Sequence, residues 1–133
     1  MVDGNIVDET SQTSLGTIRI ANEVVAIIAG LAATEIDGVA GMSGGIAGGI
    51  AEKLGRRNLA RGVKVEVGER EAAVDLFVIV EFGVRIPDVS LRVQESVKKA
   101  IESMTGLAVI EVNVHVQGVS FADGQDDQQQ RVK

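Results

Sequence analysis

From residue 63 onward the chain alternates. Val63, Val65 and Val67 take turns with Lys64 and Glu66, the period-two signature of a strand buried on one face. A turn at "GERE" leads into a second strand that sets Val74, Leu76, Val78, Val80 and Phe82 on one side. Its other side carries Asp75 and Glu81 and, out of keeping with them, Phe77 and Ile79. The period then changes. "PDVSLRVQESVKKAIESM" repeats every three to four residues, with Val89, Val93, Val97, Ala100, Ile101 and Met104 in one stripe and Pro87 suited to a first helical turn. Thr105-Gly106 ends that helix. Alternation returns in "VIEVNVHVQGV", which points Ile110, Val112, Val114 and Val116 inward, opposite Glu111, Asn113, His115 and Gln117.

Earlier in the chain "LGTIRI" (15–20) reads as a short strand. "NEVVAIIAGLAATE" (22–35) reads as a helix, with Asn22 placed to cap it and Gly38 beyond its end. Its middle, Val24 to Ala33, is apolar on every side, so it needs cover from more than one direction, and a second subunit would supply it. Three strands with one apolar face and two helices to cover it predict an α+β two-layer sandwich, a small mixed sheet with two main helices on one face. "GTIRIANEVV" and "FGVRIPDVSL" echo each other, which suggests two β-α units around a central hairpin. The folded part spans 15–121. The polar, aperiodic residues 1–14 and 122–133 read as disordered tails.

Composition narrows the chemistry. The 133 residues fit one domain with one modest core, and three Phe with no Trp or Tyr leave Val, Ile, Leu and Ala to build it. Few rings also weaken any role that depends on base stacking. A formal charge of −6 disfavours bulk attraction to nucleic acid or anionic lipid. The absence of cysteine excludes disulfides, thiolate metal sites and cysteine catalysis. The N-terminus has no basic region followed by an apolar run, so no secretion signal is expected. The uncharged run from Gly38 to Ala51 falls short of the roughly 20 apolar residues a membrane helix needs. A soluble, cytoplasmic protein with no direct membrane span is expected. The single histidine, His115, on the polar side of a strand, reads as a surface residue without the oriented partner a general base requires. No metal constellation and no cofactor motif emerges.

The stretch "GMSGGIAGGIAEKLGRRN" (41–58) invites a search for a phosphate loop. A P-loop requires a lysine and a Ser/Thr directly after its last glycine, and here Leu54 follows Lys53. The dinucleotide fingerprint requires glycines at n, n+2 and n+5, which Gly41, Gly44, Gly45, Gly48 and Gly49 do not provide. Both "GMSG" (41–44) and "GIAG" (45–48) match G-x-x-G, the backbone clamp of some RNA-binding domains, and Lys53, Arg56, Arg57 and Arg61 follow. A small RNA-binding module using those turns and the Arg56/Arg57/Arg61 patch is therefore the alternative reading. The plainer one is a flexible connector with a basic end that, together with Phe77 and Ile79, offers a contact to a partner.

Three segments carry a family resemblance. "GVKVEVG", "VQESVKKAIESMTGL" and "VIEVNVHVQGV", in that order, resemble the alkaline shock protein family, envelope stress response proteins of Gram-positive bacteria. The resemblance extends back through "GTIRIANEVVAIIAGLAATEIDGVAGM" and covers roughly residues 15 to 121. It implies a cytoplasmic, non-enzymatic protein linked to cell-envelope or alkaline stress. It also implies self-association and docking to a membrane-anchored or envelope-associated protein that would hold it at the inner face of the membrane. It carries over no catalytic residues and no cofactor, and no nucleic acid is expected.

Overall fold

The computed structural model describes residues 10–44 and 60–121. In chain order these form β1 (Thr10–Thr13), β2 (Gly16–Arg19), α1 (Asn22–Thr34), β3 (Val39–Met42), β4 (Val63–Val67), β5 (Glu71–Glu81), α2 (Ile86–Thr105) and β6 (Ala108–Ser120). The fold is α+β with a mixed sheet. β5 is its centre: β6 runs parallel along one edge, from Glu71↔Ala108 to Glu81↔Ser120. β4 lies antiparallel on the other edge, from Val63↔Leu76 to Val67↔Ala72.

β3 shares that second edge. It pairs antiparallel with the far end of β5, Val39↔Val80 to Met42↔Val78, so β3 and β4 lie end to end along one neighbour. Phe77 marks the junction. Its carbonyl accepts the Ser43 N–H at 2.7 Å, and its N–H donates to the Gly62 carbonyl at 2.8 Å. The chain leaves the edge after Ser43 and returns at Gly62. A Cβ at Gly62 would stand 2.7 Å from Ser43 O and 2.9 Å from Phe77 O, so only glycine lets the two ends of the broken strand meet.

The alternation in β5 does what its pattern predicts. Val74, Leu76, Val78 and Val80 are buried and share one cluster with Val25, Ile28, Ala29, Ala32 and Ala33 of α1 and Val89, Val93, Val97 and Ile101 of α2. Both helices therefore cover the same face of the sheet. Small residues on α1 let the helices approach closely, and Ser96 Oγ donates to Ala32 O at 3.4 Å. α2 also satisfies backbone groups at the start of β6. Glu102 Oε2 accepts Val109 N–H at 2.8 Å, Gln94 Nε2 donates to Val112 O at 2.9 Å, and Lys98 Nζ reaches Val109 O at 3.3 Å. Gly106 ends α2 in the left-handed region, φ 82°.

Several expectations are corrected. Asn22 is the first helical residue and not the cap; Ala21, extended at φ −73° and ψ 149°, takes that place with no side-chain hydrogen bond. Thr10–Thr13 is not tail but a strand, paired with β2 in a separate two-stranded sheet. β2 thus stands apart from the main sheet, with Ile18 54% and the hairpin's Leu15 97% exposed. Gly41, expected in a flexible loop, lies in β3 opposite Ile79. Phe82 and Met104 sit beyond the ends of their buried stripes, 67% and 70% exposed, and Thr105 takes the last buried position of α2. Ile110 points outward, because Ala72 pairs with Val109 and Ala73 with Glu111, which leaves Ile110 as the extra residue of a bulge. Gly45, Gly48, Gly49 and both tails beyond β1 and Phe121 lie outside the described residues.

Candidate functional site: the open face of the sheet

Helices cover one side of the sheet; the other side carries the alternate residues of β4, β5 and β6. Register sorts them into rows. Ala73 lies between Glu66 and Glu111, Asp75 between Lys64 and Asn113. Phe77 lies between the junction at Gly62 and His115, and Ile79 between Gly41 and Gly118.

The middle rows interlock. The His115 ring stacks on Phe77 with centroids 4.5 Å apart and planes 12° from parallel. Lys64 Nζ stands 5.8 Å from the centroid of the same ring. His115 Nε2 lies 3.1 Å from Asp75 Oδ1, which also accepts Asn113 Nδ2 at 3.1 Å. A carboxylate only accepts, so Nε2 carries the proton in this contact and Nδ1 is left free in the neutral ring. The His115 and Asn113 hydrogen bonds, aided by the nearby Lys64 charge, hold the Asp75 carboxyl below its ordinary value. This is a polar–aromatic cluster in which His115 has a bound carboxylate and, among the described residues, no hydroxyl or thiol hydrogen-bonded to it. Among the described residues no group of three His, Cys, Asp or Glu is placed to hold a metal ion.

The next row is bare. Ile79 has glycine on both neighbouring strands. It leans over Gly118, whose Cβ would lie 3.6 Å from Ile79 Cγ1, while nothing lies within 4 Å of the Cβ position at Gly41. The result is a shelf with one aliphatic side chain and an empty strip beside it.

Of the predicted contact residues, Phe77 and Ile79 are half-buried neighbours at the middle of this face. Arg61 is exposed where the chain rejoins the edge. Lys53, Arg56 and Arg57 lie outside the described residues. The first G-x-x-G, 41–44, begins inside β3, where Gly41 and Met42 are paired to β5. That is unlike the helix-to-helix turn of an RNA-clamping domain. What sequence reasoning missed is the Lys64–Asp75–Asn113–His115 cluster. Its signal was present as Asp75-x-Phe77 and Asn113-x-His115, two period-two pairs, but only the pairing of β5 with β6 sets them side by side.

Comparison with known proteins places this architecture. A family model, alkaline shock protein 23 with a cell envelope-related function, matches residues 10–121. Uncharacterized protein YqhY of Bacillus subtilis (strain 168) is 43% identical over 109 residues, covering 82% of this chain and 81% of that protein. Uncharacterized protein YloU of the same strain is 40% identical over 110 residues, 81% and 92% of the two chains. A stress response regulator gls24 homolog of Streptococcus pyogenes serotype M3 is 36% identical over 102 residues, 76% of this chain but 57% of that one. Among solved structures, MamM-CTD H285A overlays 74% of this chain and 98% of its own at 13% identity and a TM-score of 0.47, too loose a likeness to carry functional weight.

Proposed function

The chain belongs to the alkaline shock protein 23 family, and on that membership and the open sheet face together we propose that it is a non-enzymatic cell-envelope and alkaline stress response protein that works by binding other proteins. It self-associates and docks on an envelope-associated partner, which places it at the inner face of the membrane. The observation that carries the docking half is the Phe77–Ile79 shelf at the middle of an otherwise charged face. An aromatic and an aliphatic side chain held at half exposure on the uncovered side of a sheet are the usual centre of a protein contact. Self-association draws on α1. Its core side is buried, yet Val24 and Leu31 remain 46% and 42% exposed on its outer side with Ile27 between them, a stripe a second copy would cover. Among the described residues no helix is long and apolar enough to cross a membrane; the proposed route to the membrane is the partner.

In-cell crosslinking from a photoreactive residue at position 79, in the native host, tests the docking half. A crosslink to an envelope-associated protein that Phe77→Asp abolishes is the expected result; a pool that crosslinks to no such protein overturns it. Light scattering tests self-association. A Val24→Lys, Leu31→Lys variant is expected to be smaller than the parent chain, and a parent that stays monomeric at high concentration refutes that half.

A further inference from the structure

We infer that the open sheet face is built to receive a basic helix of another protein, with an apolar residue on the Ile79 shelf and lysine or arginine about 20 Å away. The inference rests on the docking reading above and adds the chemistry of the partner. Charge is the first argument. Among the described residues the open face presents Glu66, Glu71, Asp75, Glu81 and Glu111 against Lys64, with Arg61 exposed where the chain rejoins its edge. A face with that excess of acid steers a cation toward itself and repels nucleic acid, anionic lipid and any acidic protein surface.

Spacing is the second. Successive rows along a strand are about 6.7 Å apart, so three rows put the Glu66–Glu111 pair about 20 Å from Ile79. In a helix that distance is about 13 residues. Three strands at about 4.8 Å make a surface roughly as wide as a helix with its side chains. An extended peptide would instead pair with an edge, where the backbone groups are. The third argument is the empty strip. Among the described residues no atom lies within 4 Å of the Cβ position at Gly41, which leaves room for an incoming aliphatic side chain against the flank of Ile79.

A second copy of this chain is the competing occupant, and its charges do not match. Its exposed apolar helix stripe, Val24 and Leu31, is bordered by Glu23 and Glu35, and would bring acid against acid. α2 fares no better: Lys98 is paired with Glu102 at 2.9 Å, and across the helix Asp88, Glu95 and Glu102 match Arg92, Lys98 and Lys99, so it offers the acidic face no net positive charge.

The test uses the full chain and two synthetic helical peptides of equal length, one of leucine and lysine, the other of leucine and glutamate. Binding is followed by amide chemical-shift mapping and calorimetry at two salt concentrations. The leucine–lysine peptide is expected to bind, to shift amides of β4, β5 and β6 on the open face, and to weaken with salt; the leucine–glutamate peptide is expected not to bind. Glu66→Lys with Glu111→Lys should weaken binding at least tenfold. Asp88→Lys with Glu95→Lys, the same charge change on the helical side, should alter it less than twofold. Gly41→Val fills the strip in extended backbone, so it should leave the melting temperature unchanged or raised and still weaken binding at least fivefold.

Equal effects of the two charge reversals would reduce the result to bulk charge and overturn the inference. So would indifference to Gly41→Val, or shifts confined to other parts of the chain. A Gly41→Val variant that loses self-association, with peptide binding intact, would overturn it in favour of a second copy. The two readings fail separately. Crosslinking at position 79 that persists while the peptide does not bind removes the basic helix and keeps the docking face; peptide binding without any cellular crosslink does the reverse.

Discussion

Gly62→Ala is the sharpest probe of how the broken edge strand is held. The new methyl would lie 2.7 Å from Ser43 O, 2.9 Å from Phe77 O and 3.1 Å from Met42 Cβ. Ordinary carbon–oxygen contacts begin near 3.3 Å, so about half an ångström must be found. Two of these neighbours are backbone oxygens and cannot swing away as a side chain would. Overpacking of this kind costs about 1–3 kcal/mol. The movement also loosens the Ser43 N–H bond to Phe77 O and the Phe77 N–H bond to Gly62 O, each contributing about 1 kcal/mol. A loss of about 2–4 kcal/mol is therefore expected. Urea unfolding measures it, as a fall in midpoint of about 1–2 M with an unchanged slope. The control is Gly41→Ala on the same edge, where nothing lies within 4 Å and an alanine in extended backbone should be neutral or stabilising by about 0.5–1 kcal/mol. If the two variants unfold within about 0.5 kcal/mol of each other, the junction at Phe77 is not closed as described.

Ile101, fully buried where α2 meets the sheet, should lose about 2–5 kcal/mol on change to alanine, read by the same unfolding curve. Ile110, 61% exposed on its bulge, should tolerate serine to within about 0.5 kcal/mol, whereas its neighbour Val109, 5% exposed, should not. Stability should also fall in acid. The Lys98 hydrogen bond and the Val109 N–H hold the Glu102 carboxyl below its ordinary value, as His115 and Asn113 hold that of Asp75. A carboxyl depressed in the folded state adds stability above its unfolded pKa, near 4, and that share is lost as pH falls through the folded value. Unfolding midpoints between about pH 6 and pH 3 should therefore slope less steeply for Glu102→Gln and Asp75→Asn than for the parent chain. An unchanged slope in both would refute the assignment.

The core was legible because an apolar residue at every second position of β5 and at every fourth position of α2 leaves one side to bury, and both patterns are local. Ile110 was not, because a bulge adds one residue and reverses every later side chain, and nothing in "VIEVNVHVQGV" marks which residue is the extra one. β3 escaped notice for another reason. "VAGM" is too short to show alternation, and its partner lies far along the chain in β5. β2, paired with "TSQT", is exposed along its whole length, so it leaves no hydrophobic trace.

The candidate face obeys the same logic. Phe77 and Ile79 stood out in the sequence as apolar residues on a polar side, a local irregularity. That His115 stacks on Phe77, and that Ile79 has glycine on both flanks, depends on register between strands that meet only in the fold. The two bulges of β6, at Ile110 and Gln117, are what bring His115 level with Phe77 and Gly118 level with Ile79. Without the first, Asn113 and His115 would turn toward the helices and carry polar groups into the core; without the second, Gln117 would stand in the place of Gly118 and move toward the shelf. The irregularities that defeated the sequence reading are thus the ones that arrange the open face.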